Sequence, residues 1–104
     1  MSTVQHLTAD LFDDAVKNKV SLIDFWAEWC GPCRAFSPVL EEIATELPDD
    51  ILVAKVNIDK DPELAAKFHI MSIPAIFILQ DGKPVKNFIG VQPKEKVLQA
   101  VLNA

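Results

Sequence analysis

The sequence predicts an α/β sandwich built on a mixed sheet. Three features predict it. Two nearly continuous apolar runs, Val20 to Ala27 and Ile51 to Ile58, suit strands covered on both faces. Between them the apolar residues recur at helical spacing. After them come two short strand-like runs across an Asp81-Gly82 turn signal, and then one more amphipathic segment. Strands alternating with helices imply parallel pairing, and the terminal hairpin adds an antiparallel part.

Each element has its own local reason. Val4 to Leu7 reads as a short first strand. Thr8 stands at an N-cap position, and Asp10, Asp13 and Asp14 follow in the early turns, where a helix dipole favours anions. Leu11, Phe12, Ala15 and Val16 give that helix an apolar face. Val20 to Ala27 is the first buried strand, interrupted by Asp24. From Pro32 the period changes, and Phe36, Val39, Leu40, Ile43, Ala44 and Leu47 mark one side of a long helix. Pro32 suits the first turn, where a missing N–H costs nothing. Pro38 predicts a kink, and Pro48 an end. Ile51 to Ile58 is the second buried strand, interrupted by Lys55. Asp61 to Phe68 reads as a short helix with Asp61 as N-cap and Pro62 at its first position. Ala75 to Leu79 and Val85 to Ile89 form the hairpin. Pro93 opens a last helix, with Val97, Leu98, Val101 and Leu102 on its inner side.

The chain has 104 residues, the length of one domain, and half of them are apolar, enough for a core of its own. A formal net charge of −5 disfavours nucleic acid, whose phosphates want clustered Lys and Arg, and disfavours an anionic membrane surface equally. No apolar run has the length of a membrane span. Met1 to Ala9 shows no basic stretch followed by an apolar one, so no secretory signal is predicted and the cytoplasm is the expected compartment.

The only two cysteines, Cys30 and Cys33, are separated by two residues. As a structural staple the pair is weak: chain entropy gives a four-residue loop roughly 2 kcal/mol. As a metal site it is incomplete, since structural zinc takes four ligands and neither His6 nor His69 has ligand spacing to it. Position suggests more. Trp29-Cys30-Gly31-Pro32-Cys33 lies between a predicted buried strand and a predicted helix, the setting of a redox dithiol. Residues three apart on a helical turn can reach each other as a disulfide. Cys30 at the helix start faces unpaired N–H groups and the positive dipole end, which favour the thiolate. Cys33, one turn in, is expected to be the more buried thiol. Cys30 is therefore the expected nucleophile and Cys33 the resolving thiol. The plainer alternatives are two inert core cysteines or half of a metal site.

Asp24 is the second signal. A carboxylate inside a buried strand is costly unless paired, and burial raises its pKa. It is either a satisfied structural acid or the group that takes the proton from Cys33 during resolution. Lys55 is the natural charge partner from the other interrupted strand, unless it only extends its stem along a strand end. The Ile73-Pro74 bond, judged from the residues alone, is expected to be trans. Trp26 and Trp29 read as ordinary aromatics, although Trp29 beside the nucleophile could shield it or dock substrate. His69 and Met71 read as loop and packing residues.

Asp24-Phe25-Trp26-Ala27-Glu28-Trp29-Cys30-Gly31-Pro32-Cys33 resembles the signature block of the thioredoxin family. Pro38, Asn57-Ile58-Asp59, Ile73-Pro74, Asp81-Gly82 and Gly90 fall in the family's order, so the resemblance covers nearly the whole chain. It implies a thioredoxin-like three-layer sandwich, five strands in a mixed sheet flanked by four helices. It implies a cis Pro74 packed against the cysteines, and strand-like hydrogen bonds to an extended substrate peptide. Trp29, Gly31, Pro32, Ile73, Pro74, Gly90 and Val91 would form a flat apolar docking surface. The resemblance also implies disulfide-containing protein substrates and no bound cofactor, with electrons coming from NADPH through a flavoprotein thioredoxin reductase. A monomer is expected. The Gly31-Pro32 pair resembles the reducing members, whereas oxidising relatives often carry a His inside the motif. Arg34, His69, Met71, Ser72 and Ala75 depart from the common pattern. Two other readings compete with a reductase: a thiol oxidant or isomerase of an oxidising compartment, and a binding subunit whose cysteines are incidental.

Overall fold

The structure, a computed structural model, describes residues 1–104. The elements in chain order are β1 (Val4–His6), α1 (Ala9–Val16), β2 (Val20–Trp26), α2 (Gly31–Thr45), β3 (Leu52–Asn57), α3 (Pro62–Lys67), β4 (Ala75–Gln80), β5 (Lys83–Ile89) and α4 (Lys94–Leu102). The five strands form one sheet in the order β1-β3-β2-β4-β5. β1, β3 and β2 run parallel; β4 pairs antiparallel with β2, and β5 antiparallel with β4.

The two buried-type runs are inner strands, as their composition predicted. β2 lies at the centre of the sheet, between β3 and β4. Alternate residues of these strands feed two cores. Ile23, Phe25, Ala54, Val56 and Phe77 pack with Phe12 and Val16 of α1, Leu64 of α3 and Phe68. Leu22, Val53, Ile76 and Ile78 pack with Phe36, Leu40 and Ile43 of α2 and Val97, Leu98 and Val101 of α4. Each face of the sheet thus carries two helices, and Asp24 shares the α2 face with Leu22.

Local expectations fail where a tertiary contact competes. Thr8 and Asp61 occupy N-cap positions, but neither side chain caps its helix. The Thr8 hydroxyl donates to Asp10 instead. Asp61 Oδ1 accepts from the Ala9 backbone N–H at 3.0 Å, joining the starts of α1 and α3. α2 begins at Gly31, before Pro32, and ends at Thr45, ahead of the Pro48 expected to stop it. It runs through Pro38 as one continuous helix. β5 starts earlier than predicted and includes Pro84, which the sheet tolerates because β5 is an edge strand.

Phe25 is fully buried, with ring centroids 5.3 Å from Phe68 and 5.5 Å from Phe77. Phe25→Ala should lower the unfolding free energy by about 3–5 kcal/mol, the usual cost of emptying a buried aromatic site. Urea unfolding checks this; a loss below about 1 kcal/mol would contradict the packing described.

Candidate redox site

The cysteines sit where β2 passes the chain to α2. Cys30 is the N-cap residue of α2, with extended backbone (φ −89°, ψ 107°), and its Sγ accepts the Cys33 backbone N–H at 3.1 Å. The first N–H groups of a helix lack intrahelical partners, so the sulfur takes the place a Ser or Asp oxygen holds in an ordinary cap. The two residues are joined as a disulfide, their Cα atoms 5.2 Å apart. Cys33 is the deeper, at 1 % exposure against 4 % for Cys30. Both are therefore largely covered in the disulfide state, Cys30 more than a position at the helix start suggested. Its Sγ lies 3.8 Å from the Ile73 carbonyl oxygen.

The Ile73–Pro74 bond is cis, correcting the trans bond read from the residues alone. The intrinsic preference at an X–Pro bond is small, so tertiary surroundings decide it. The Gly90 N–H donates to the Pro74 carbonyl at 2.8 Å and ties this loop to the end of β5. Gly90 has φ +86°, a conformation that favours glycine. The docking residues do not all reach the surface. Trp29, Gly31, Pro32 and Val91 are exposed, and Ile73 and Gly90 are half-buried, but Pro74 is buried. Pro74 thus shapes the surface from below. Met71 and Ser72 are exposed beside it, whereas Ala75 is buried in β4. His69 holds a left-handed backbone (φ 55°) without being glycine.

Asp24 is fully buried, and neither carboxyl oxygen has a hydrogen-bond partner. Burial pushes its carboxyl up to about 7, with the Lys55 charge opposing that rise only in part. Lys55 is its register partner on β3, as the two interrupted strands suggested. The pair is close enough for its field to matter, yet the Lys55 Nζ donates elsewhere, to Ser37 Oγ at 3.2 Å, and stands 4.2 Å from the Trp26 ring centroid.

Three contributors escaped the sequence. Asp59 Oδ2 accepts from the Trp29 indole Nε1 at 2.9 Å and fixes the exposed ring beside Cys30. Asn57 Oδ1 accepts from the Asp59 N–H at 2.9 Å, a local turn that aims the carboxylate. The Asn57-Ile58-Asp59 run was visible, but its distance from Trp29 in sequence hid the contact. Ser37 carried no signal, being one polar residue on a helix.

Two grooves of about 660 Å³ each lie away from the cysteines. One is lined by Asn18, Lys19 and Val20, at the opposite end of β2. The cysteine pair instead opens onto a surface of exposed aromatic, proline and valine side chains. No group of three or more His, Cys, Asp or Glu side chains is placed to hold a metal ion, and no helix is long and apolar enough to cross a membrane.

A thioredoxin family model matches residues 3–103. The chain belongs to the thioredoxin family. It is 43 % identical to a thioredoxin of Staphylococcus aureus over 101 residues, covering 97 % of this chain and 96 % of that one. It is 43 % identical to a thioredoxin of Staphylococcus saprophyticus over 95 residues, 91 % of each chain. A solved mutant thioredoxin from Halobacterium salinarum superposes with TM-score 0.89 at 29 % identity, covering 99 % of this chain and 93 % of that one. The resemblance read from the signature block is thus borne out. Thioredoxin homologues are disulfide oxidoreductases, and in this thioredoxin-family chain Cys30 and Cys33 form the redox disulfide with two residues between them.

Burial of Asp24 makes stability depend on pH with a definite sign. Below its ordinary value of 3.8, folded and unfolded chains both hold the proton and no penalty arises. Between there and about 7 the unfolded chain releases the proton while the folded chain keeps it, so stability falls as pH rises. Asp24→Asn removes this dependence. Its stability relative to the parent should grow between pH 4 and pH 8, by an amount on the order of 4 kcal/mol. Urea midpoints of the oxidised proteins measure the difference; one that stays constant with pH would contradict a buried, proton-holding carboxyl.

Proposed function

We propose that this thioredoxin-family protein is a protein-disulfide reductase of the cytoplasm, with Cys30 as nucleophile and Cys33 as resolving thiol. The observation that carries the reading is the capping of α2 by the Cys30 sulfur, which accepts the Cys33 N–H. A thiolate at that position gains from the same N–H and from the helix dipole. In the reduced protein, Cys30 Sγ attacks one sulfur of a substrate disulfide and expels the other as a thiolate. Asp24, with its ionisation near neutrality, takes the proton of Cys33. Cys33 Sγ then attacks Cys30 Sγ, closing the Cys30–Cys33 disulfide and releasing the second substrate thiolate. Two electrons pass to the substrate, and the enzyme is left oxidised.

The flat setting of the cysteines supports a macromolecular substrate. An extended segment of it lies against Ile73, whose N–H takes part in no hydrogen bond within the chain, and pairs there like an added strand. Trp29, Gly31, Pro32, Gly90 and Val91 contact its side chains, while buried Pro74 holds the loop beneath. Reduction rather than oxidation is favoured by Gly31 and Pro32, which place no further cationic group beside the thiolate. NADPH, through a flavoprotein thioredoxin reductase, regenerates the dithiol, and the chain acts as a monomer with no bound cofactor.

Insulin reduction by dithiothreitol should be accelerated by the wild type and not by Cys30→Ser; equal rates would sink the assignment. A redox titration placing the pair at the oxidising end of the family's range would point to an oxidant instead. Cys33→Ser should trap a mixed disulfide through Cys30, and trapping through Cys33 in the Cys30→Ser protein would reverse the roles. Wild-type turnover should rise with pH through about 7, as Asp24 ionises. Asp24→Asn should lack this rise and slow turnover by at least about tenfold, read from single-turnover rates between pH 6 and 8.

A further inference from the structure

Asp24 and Lys55 are register partners on adjacent strands, so both side chains project from the same face of the sheet. Opposite charges so placed ordinarily meet. Here both Asp24 oxygens are without a hydrogen-bond partner. Lys55 is also buried, at 8 % exposure for the whole residue, and its ammonium has turned to Ser37 Oγ at 3.2 Å and to the face of Trp26 at 4.2 Å. A buried ammonium needs acceptors for its donors, and a hydroxyl and an aromatic face supply them without neutralising its charge.

We propose that Ser37 is a positioning residue, its hydroxyl acting with the Trp26 ring to hold the Lys55 ammonium off the Asp24 carboxyl and leave that acid unpaired. The proposal rests on the reading of Asp24 as the proton acceptor and names what keeps it available. Ser37 is four residues after Cys33 on α2, so the hydroxyl and the resolving thiol occupy one face of the same helix. One rigid element thereby sets both the thiol that gives up a proton and the cation that tunes its acceptor.

Few ionisable groups surround Asp24. β3 brings Lys55 and β4 brings Ile76. α2 brings Ser37 and the disulfide-bonded Cys33. β1 brings His6, which is in register with Lys55 and has its ring 6.5 Å from that of Trp26. Among these, Lys55 is the charge that acts on the carboxyl. Without the Ser37 hydroxyl, its ammonium has Asp24 as the remaining strong acceptor on that face.

Titration of the Asp24 carboxyl carbon by NMR in the oxidised protein tests this. Ser37→Ala, a mild change on a helix, should lower the midpoint by about one pH unit or more, as an opposite charge brought into contact does. Ser37→Thr keeps the hydroxyl and should titrate like the wild type. In a Lys55→Met background, Ser37→Ala should produce no shift. A wild-type or raised midpoint in Ser37→Ala overturns the proposal, and so does a shift that persists without Lys55. Turnover is read separately. A lowered midpoint that the pH–rate profile does not follow would support the Ser37 tether and remove Asp24 from the reaction.

Discussion

The start of α2 is the constraint on which the site depends. A helix cannot begin without leaving N–H groups unpartnered, and here the Cys33 N–H is met by the sulfur of Cys30. That single contact fixes the sulfur at the positive end of the helix and fixes the distance to its mate. The junction gains rigidity from what precedes it. β2 is the central strand, bonded on both edges, so the chain reaches Cys30 from a fully paired strand. A reactive pair built on two regular elements keeps its geometry through repeated opening and closing of the disulfide.

The same strand carries the acid. A carboxyl in the middle of a fully covered strand cannot be solvated, and its proton is held until near neutral pH. An ion pair with Lys55 would have reversed that effect. The structure instead sends the ammonium to a hydroxyl and an aromatic face. The cost of this burial is a fold that loses stability as pH rises from 3.8 toward about 7.

Around the cysteines three separate parts of the chain come together. The Trp29 side chain is pinned by Asp59, and the Pro74 loop is tied to Gly90. Exposed Met71 and Ser72 border this region.

Much was legible in the sequence because it depends on short-range order. The alternation of buried strands and amphipathic helices, the hairpin at Asp81-Gly82, the cysteine spacing and the interruption at Asp24 are properties of local pattern, and the fold follows them. Long-range contacts decided the rest. Thr8 and Asp61 stand where caps belong, yet Asp61 is drawn to Ala9, a residue that only folding brings near. Residue preference gives Ile73–Pro74 as trans, and the folded loop holds it cis. Pro74, which the resemblance places on the docking surface, is buried, and Asp59 and Ser37 hold Trp29 and Lys55 through contacts that no local pattern gives. By itself the sequence determined where the cysteine pair and the buried acid lie, since spacing and hydrophobic period act within a few residues. Only the tertiary structure decided their partners, because a hydrogen bond forms with whichever acceptor packing brings within reach.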